Sequence, residues 1–548
     1  MIETQKKDMW KWVIYGSLIL YAVFLLYPLL SLLVKSVLPG GSFGFSSFGK
    51  FFANKFYYGT VINSMLVTFS VTICTVLLAV PIAYILNTIK IKFSSTIQIL
   101  ILLSSVSAPF IGAYAWILLL GRSGVVTQFF KQTFNISTPD IYGFTGILVV
   151  LTLQLCPLVY MYVSGALKTV DSSLIEASES MGCTGIKKML KIVGPLILPT
   201  ILAGALLVFM RALADFGTPM LIGEGFRTIP VLIFTEFISE MGEDDSFAAA
   251  VSVMVVVFAT SVFLVQKLIA KRKAYKMSSL RPMQIKEEKG IKNVLAHLFV
   301  YVYILLAILP QLYVIYTSFL KTSGKIFVKG YSLQSYAAAF SKVGDSIINT
   351  FILALSALAI IIVLAILIAY VTVRRPSALT NLLDVSTMLP YIVPGSILGI
   401  ALLTAFNKPP LLLSATAIIM ILSFAIRRLP YTIRSSCAIL HQVSIASEEA
   451  AISLGAGQFK TFMRITLPAM LPGVLSGAVL SWLSILTELS ASILLYTIAT
   501  RTMTIAIYTE VLRGNYGTAA ALSSILSFIT VITLLIFFRL TGKKELSM

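Results

Sequence analysis

The sequence predicts an all-α polytopic membrane protein, with about 12 transmembrane helices arranged as two parallel, homologous six-helix halves. Three observations carry that expectation. The 548 residues are 58% hydrophobic and only 12% charged, against about 25% charged in soluble proteins, and the mean hydropathy is +0.95. Apolar runs long enough to cross a bilayer recur along the whole chain. One polar pattern occurs twice, with every internal spacing kept.

A bilayer core about 30 Å thick requires about 20 apolar helical residues, because no water is present there to satisfy exposed backbone groups. Such stretches fall at 13–34, 60–89, 96–120, 143–167, 195–222 and 248–269, then at 295–319, 347–373, 381–405, 410–432, 468–495 and 517–540. Lys6, Lys7 and Lys11 precede an apolar run too long for a cleaved signal peptide, so that run is expected to be the first retained span.

Basic residues in short loops tend to stay on the cytoplasmic side of a membrane. With an inner N-terminus, Lys90, Lys92, Lys187, Lys188, Lys191, Arg374, Arg375, Lys460 and Arg464 share that side with the C-terminal tail. Arg211 is left as the one basic residue assigned to a span interior. Both termini and both polar loops are expected in the cytoplasm, whereas the acidic group Glu236, Glu240, Glu243, Asp244 and Asp245 falls outside.

The repeated pattern reads Glu176-Ala177-Ser178, Gly182, Pro195 and Pro199, then Glu449-Ala450-Ala451, Gly455, Pro468 and Pro472, at one offset (449 − 176 = 273). Pro157 and Pro430 keep that offset, as do Gly204 and Gly477. Upstream, Asn63 pairs with Asn349 and Ala83-Tyr84 with Ala369-Tyr370 at an offset of 286. Recurrence on this scale marks a repeated unit. An even number of spans per half makes the repeats parallel, related by an axis along the membrane normal. The expected division is a first half at 1–270, a cytoplasmic linker at 271–292 and a second half at 293–548.

The same residues speak against several function classes. The net charge of +20 is spread over loop ends, without the contiguous basic patch of a nucleic-acid surface, so no nucleic-acid partner is expected. Gly44 to Lys50 has the glycine and lysine spacing of a phosphate-binding loop, but Phe51 replaces the magnesium-binding hydroxyl and no buried strand precedes it. Cys74, Cys156, Cys183 and Cys437 are scattered, and His297 and His441 stand alone, so no metal or disulfide framework is expected. No convergent set of acid, base and nucleophile appears, and no catalytic residue is assigned.

Charges inside spans are costly and usually face protein or a water-filled path. Arg211 and Asp215 lie four apart, where they can neutralise one another on one helical face, and Glu488 occupies the position matching Asp215 (488 − 215 = 273). They are candidates for lining a translocation path, against the plainer reading of a structural ion pair and a helix-end carboxylate. Gly395 with Gly399, and Gly473 with Gly477, have the spacing of close helix packing. Pro109, Pro390 and Pro394 interrupt the third span of each half.

The two loops, each ending in Ile-x-x-Pro at Ile192–Pro195 and Ile465–Pro468, resemble the signature EAA loop of bacterial ABC importer permeases. The first copy departs from that pattern at Ser178 and Gly194. The resemblance covers both halves and implies the type I ABC importer permease fold in the bacterial cytoplasmic membrane. It also implies two copies of a cytoplasmic ATPase subunit as partners, with ATP and Mg bound there and no cofactor on this chain. Glu176, Ala177, Ser178, Gly182, Pro195, Glu449, Ala450, Ala451, Gly455 and Pro468 would be the coupling residues. An external binding protein would deliver the substrate. Ala214-Asp215-Phe216-Gly217-Thr218-Pro219, and Pro109 ahead of Tyr114-Ala115-Trp116, look like the fused permeases of the ferric-iron importer group, whose relatives handle thiamine, aminoalkylphosphonates or other small anions.

The competing class is an ion-coupled secondary transporter, in which Asp215 and Glu488 would carry the coupling ion. Against it, Asn87 to Lys92 lacks the glycine-, aspartate- and arginine-rich loop of the major facilitators.

Overall fold

The computed structural model describes residues 9–38, 42–106, 109–136, 140–239, 246–272, 285–324 and 326–541, and these are predominantly helical. Lys6, Lys7, Glu240, Glu243, Asp244 and Asp245 lie outside the described residues, as does most of the 271–292 linker.

The first half opens with α1 (Met9–Tyr21), a π-helical turn (Ala22–Leu26) and α2 (Tyr27–Val37), which form one span. Then come α3 (Ser46–Ala53), α4 (Lys55–Thr88), α5 (Ser94–Val106), α6 (Pro109–Leu120), α7 (Val125–Phe134) and α8 (Phe144–Lys168). The first polar loop holds α9 (Ser172–Ser180) and α10 (Gly185–Lys188), and leads through a π turn (Met189–Val193) into α11 (Gly194–Ala214). α12 (Gly217–Ile222), α13 (Ile229–Ser239) and α14 (Ser246–Arg272) complete this half.

The second half starts with α15 (Ile291–Ser318) and an antiparallel hairpin of β1 (Leu320–Ser323) and β2 (Ile326–Tyr331). It continues through α16 (Gln334–Val343), α17 (Asp345–Arg374), α18 (Ala378–Ser386), α19 (Leu389–Ile392), α20 (Gly395–Ala405) and α21 (Ala417–Gln442). The second loop holds α22 (Ala446–Ser453), α23 (Gln458–Thr461) and a π turn (Phe462–Thr466). α24 (Leu467–Leu486), α25 (Ser492–Leu495), α26 (Met503–Arg513) and α27 (Tyr516–Thr541) follow.

Among the described residues ten helices are long and apolar enough to cross a bilayer, and α18–α19 with α20 make an eleventh span bent by 110°. The bend falls at Val393-Pro394, in agreement with the proline argument. α21 supplies the twelfth long helix; Arg427, Arg428 and Arg434 lower its hydropathy. It runs from 417 to 442 rather than over the expected 410–432. The fifth spans also end early, at Ala214 and Leu486, because the chain leaves the helix at Asp215 and Thr487.

The duplication extends to individual hydrogen bonds. Asn63 Nδ2 donates to the Arg227 carbonyl at 3.1 Å, and Asn349 Nδ2 to that of Arg501 at 3.3 Å. Ser64 Oγ accepts from the Ile229 N–H, and Thr350 Oγ1 from that of Met503, each at 2.8 Å. The π turns repeat at the same offset (462 − 189 = 273), each starting six residues before a proline, Pro195 or Pro468. Proline removes a backbone donor and clashes with the carbonyl four residues back. A single π turn absorbs both effects without ending the helix. Pro28 stands at the same distance from the π turn of the first span.

The opening span of each half packs on the other half. Trp10 is 1% exposed, with its ring 4.2 Å from Tyr370 and 5.0 Å from Phe462, and Leu25 and Leu32 are buried in the same core. Reciprocally, Ala296, Val300 and Tyr303 of α15 are buried among Val150, Cys156 and Val159 of the first half. The halves are thus interlocked by exchanged spans.

Small residues allow close helix contact, but the two copies differ in tightness. A Cβ on Gly477 would lie 2.5 Å from the Thr432 Cα, whereas one on its counterpart Gly204 would meet nothing closer than 3.6 Å. Gly477→Ala is therefore expected to cost about 1–3 kcal/mol by overpacking, and Gly204→Ala to change stability little. Thermal unfolding in detergent would measure both, and equal effects would contradict the difference in packing.

Candidate functional site

The two polar loops have one geometry. α9 closes with the Gly182 N–H donating to Glu179 O at 3.0 Å and the Cys183 N–H to Ser178 O at 2.9 Å. In α22 the Gly455 N–H donates to Ile452 O at 2.9 Å and the Ala456 N–H to Ala451 O at 3.0 Å. This double closure is a Schellman motif, which needs a left-handed residue after the helix. Gly182 and Gly455 supply it at φ +79° and +85°. Asp171 caps the start of α9 by accepting from the Ser173 N–H at 2.9 Å.

The helices present small and apolar groups outward. Ala177, Gly182, Ala450 and Gly455 are exposed, and beside the glycines Met181 is 78% and Leu454 90% exposed. Met181 and Leu454 keep the 273 offset. Glu176 and Glu449 both face outward, and no ion pair is found for either among the described residues. Their neighbours pair instead. Glu179 accepts from Lys188 at 2.5 Å and Lys286 at 3.2 Å, and buried Glu448 accepts from Arg374 Nε at 2.8 Å.

Lys286 also ties the end of the linker to the end of α4: its N–H donates to Thr88 O at 2.8 Å, and its carbonyl accepts from the Lys90 N–H at 3.0 Å. Lys90 pairs with Glu287. The first loop is thereby strapped to the segment that joins the halves.

The Lys188 ammonium, followed by Lys286, holds the Glu179 carboxyl below the usual carboxylate range. A lowered folded-state value contributes stability above the unfolded value of about 4.3, lost as pH falls through the folded value. Spin labels at positions 180 and 289 are therefore expected to keep one narrow distance from pH 8 to 5 and to broaden only in stronger acid. Glu179→Gln is expected to broaden it at pH 7.

A second cluster lies between the halves. Arg211 does not pair with Asp215, because Asp215 has left the helix at ψ +123° and accepts the Thr218 N–H at 3.1 Å. Arg211 instead donates to the Tyr431 hydroxyl of α21 at 3.0 Å. Glu488 makes the same local contact as Asp215, accepting the Ala491 N–H at 3.1 Å. It is 3% exposed and receives both Arg427 and Arg428. Arg434 pairs with Asp384 at 2.9 Å, and the Tyr391 ring lies edge-on, 5.2 Å from that of Tyr431.

Arg427, Arg428, Tyr431 and Arg434 follow the three- and four-residue spacing of one helical face. The sequence reading left Arg427 and Arg428 at the end of the expected 410–432 span and Arg434 beyond it, counted only Arg211 as a basic residue within a span, and so missed the cluster. The signal was available: moving α8 by 273 residues carries its end from Lys168 to His441, which encloses all three. Among the described residues, no group of His, Cys, Asp and Glu could hold a metal ion.

The family model described as the binding-protein-dependent transport system inner membrane component matches residues 46–275 and again 330–543. The chain is 29% identical over 535 residues to the ferric transport system permease protein FbpB of Actinobacillus pleuropneumoniae, covering 96% of this chain and 77% of that protein. It is 30% identical over 494 residues to a putative ferric transport system permease protein, FbpB 1, of Haemophilus influenzae, covering 88% and 77%. A stretch amounting to 48% of this chain is 25% identical to a putative 2-aminoethylphosphonate transport system permease protein, PhnU, of Salmonella typhimurium, covering 92% of that protein.

Proposed function

This chain belongs to the family of inner membrane components of binding-protein-dependent transport systems, and from that premise we propose that it moves ferric iron, delivered by an external binding protein, under the drive of two cytoplasmic ATPase subunits. It is a multi-pass permease subunit and not an enzyme. Family membership favours this reading over the ion-coupled alternative.

The observation that carries the ATPase reading is the duplicated Schellman-ended helix with Met181 or Leu454 turned to solvent. Exposed apolar side chains beside small residues are what a partner surface requires. Each loop would dock in one ATPase subunit through Glu176 to Gly182 or Glu449 to Gly455. Closure of the ATPase pair on ATP and Mg would push on both loops. The continuous helices through Pro195 and Pro468 would carry that motion to the spans, giving alternating access. In this reading both termini are cytoplasmic and the linker at 271–292 joins halves 1–270 and 293–548.

Iron is favoured by the two long relatives named as ferric permeases, each matched across most of this chain. The phosphonate permease matches a stretch half as long, and keeps an aminoalkylphosphonate as the second reading. Proteoliposomes holding this chain with its ATPase and binding protein are expected to accumulate labelled iron only when ATP is supplied. ATP-driven accumulation of 2-aminoethylphosphonate or thiamine without iron would replace the substrate. Accumulation that follows an ion gradient without ATP would overturn the machine.

A further inference from the structure

We propose that the path between the halves is built for an anion, so that iron crosses as an anionic complex with an oxyanion or carboxylate ligand rather than as a bare cation; this rests on the importer reading above.

The argument starts from the groups around Tyr431. Its hydroxyl accepts from Arg211, which reaches across from α11, and Arg427 and Arg428 lie within electrostatic range. Tyr162 and Tyr391 surround the same Arg211 guanidinium. Arg211 is solvent-accessible although its contacts are to side chains of both halves. A side chain both accessible and enclosed by protein inside a span lines an internal path. On α21, Tyr431 is fourteen residues from Ala417 and eleven from Gln442. At about 1.5 Å per residue it sits near the middle of a helix that spans the membrane.

The charge balance of the cluster points the same way. Arg211, Arg427, Arg428 and Arg434 share two carboxylates, Asp384 and Glu488, which leaves two excess positive charges (4 − 2 = 2) among them. One carboxylate, Glu488, serves two guanidinium groups, and the partner of Arg211 is a neutral phenol. The Nε–H groups of Arg428 and Arg434 are buried without an acceptor among the described residues. Arginine forks match the oxygens of carboxylates and phosphates. A bare trivalent cation would meet the repulsion of these guanidinium groups, and among the described residues no group of His, Cys, Asp and Glu could hold it.

The test uses the full complex in proteoliposomes, with iron supplied as doubly labelled ferric citrate or ferric phosphate, and with labelled 2-aminoethylphosphonate alone. Labelled anion is expected to enter in proportion to iron, or the phosphonate to enter by itself if the path serves a free anion. Arg211→Gln is expected to lower that uptake at least tenfold, while Arg211→Lys restores a substantial part and both variants insert and assemble with the ATPase. ATP-driven iron uptake with neither anion, undiminished in Arg211→Gln, overturns the anion path and leaves the importer reading standing. Failure of the wild-type complex to move any solute with ATP would sink the importer reading instead.

Discussion

Replacing Gly455 or Gly182 by valine is expected to lower ATP-driven uptake by at least tenfold while the chain still inserts and the ATPase still turns over. The cause is conformational. A Cβ at either position meets nothing within 4 Å, so no neighbour opposes it, but φ of +85° or +79° does. Holding a residue with a side chain in the left-handed region costs about 1–2 kcal/mol, and 1.4 kcal/mol is a factor of about ten in population. The loop would then rarely present the Schellman turn and the side chain beside it. Asparagine tolerates that region better, so Gly→Asn should fall between glycine and valine. Uptake and ATPase activity are measured together in proteoliposomes. Valine variants that keep both substrate-stimulated ATPase activity and uptake would exclude the turn as the coupling element.

The second large effect is expected at Glu488. Glu488→Gln removes the one carboxylate that Arg427 and Arg428 share among the described residues and leaves two largely enclosed guanidinium groups facing each other. Removing one partner of a buried ion pair costs roughly 3–5 kcal/mol, and here two cations lose theirs. Asp215→Asn in the first half should be much milder, because Asp215 accepts only the Thr218 N–H among the described residues and carries no arginine pair. Thermal unfolding in detergent, read by size-exclusion recovery after heating, separates the two. A Glu488→Gln chain as stable as Asp215→Asn would show that the arginines are hydrated rather than held.

Much of this architecture was legible because repetition and hydropathy are properties of the chain itself. The spacing from Glu176 to Pro199, met again from Glu449 to Pro472, foretold two loops that share turn, π turn and following helix. What hydropathy does not carry is where a helix stops inside the membrane. Asp215 and Glu488 looked like span residues, yet each sits where the chain leaves the helix and accepts a backbone N–H three residues on. That also removed the expected Arg211–Asp215 pair, since a four-residue spacing brings side chains together only while the helix continues. The arginines of α21 were hidden for the opposite reason. A charge inside an apolar run lowers its average and draws the assigned boundary toward it, so Arg427 and Arg428 stood at the edge of the expected span and Arg434 beyond it. The exchange of opening spans left no local sign either, because Trp10 and Tyr370 are apolar wherever they pack.

The π turns ahead of Pro195 and Pro468 have a geometric consequence. One extra residue in an α-helix advances everything beyond it by about 100° around the axis and displaces it by about 1.5 Å. Each proline therefore sets the azimuth at which its loop leaves the span, acting as a phase element in a rigid shaft. Removing the proline would permit the ladder to close in ordinary α register, and the same loop, with its turn intact, would then point about a quarter-turn away from its partner.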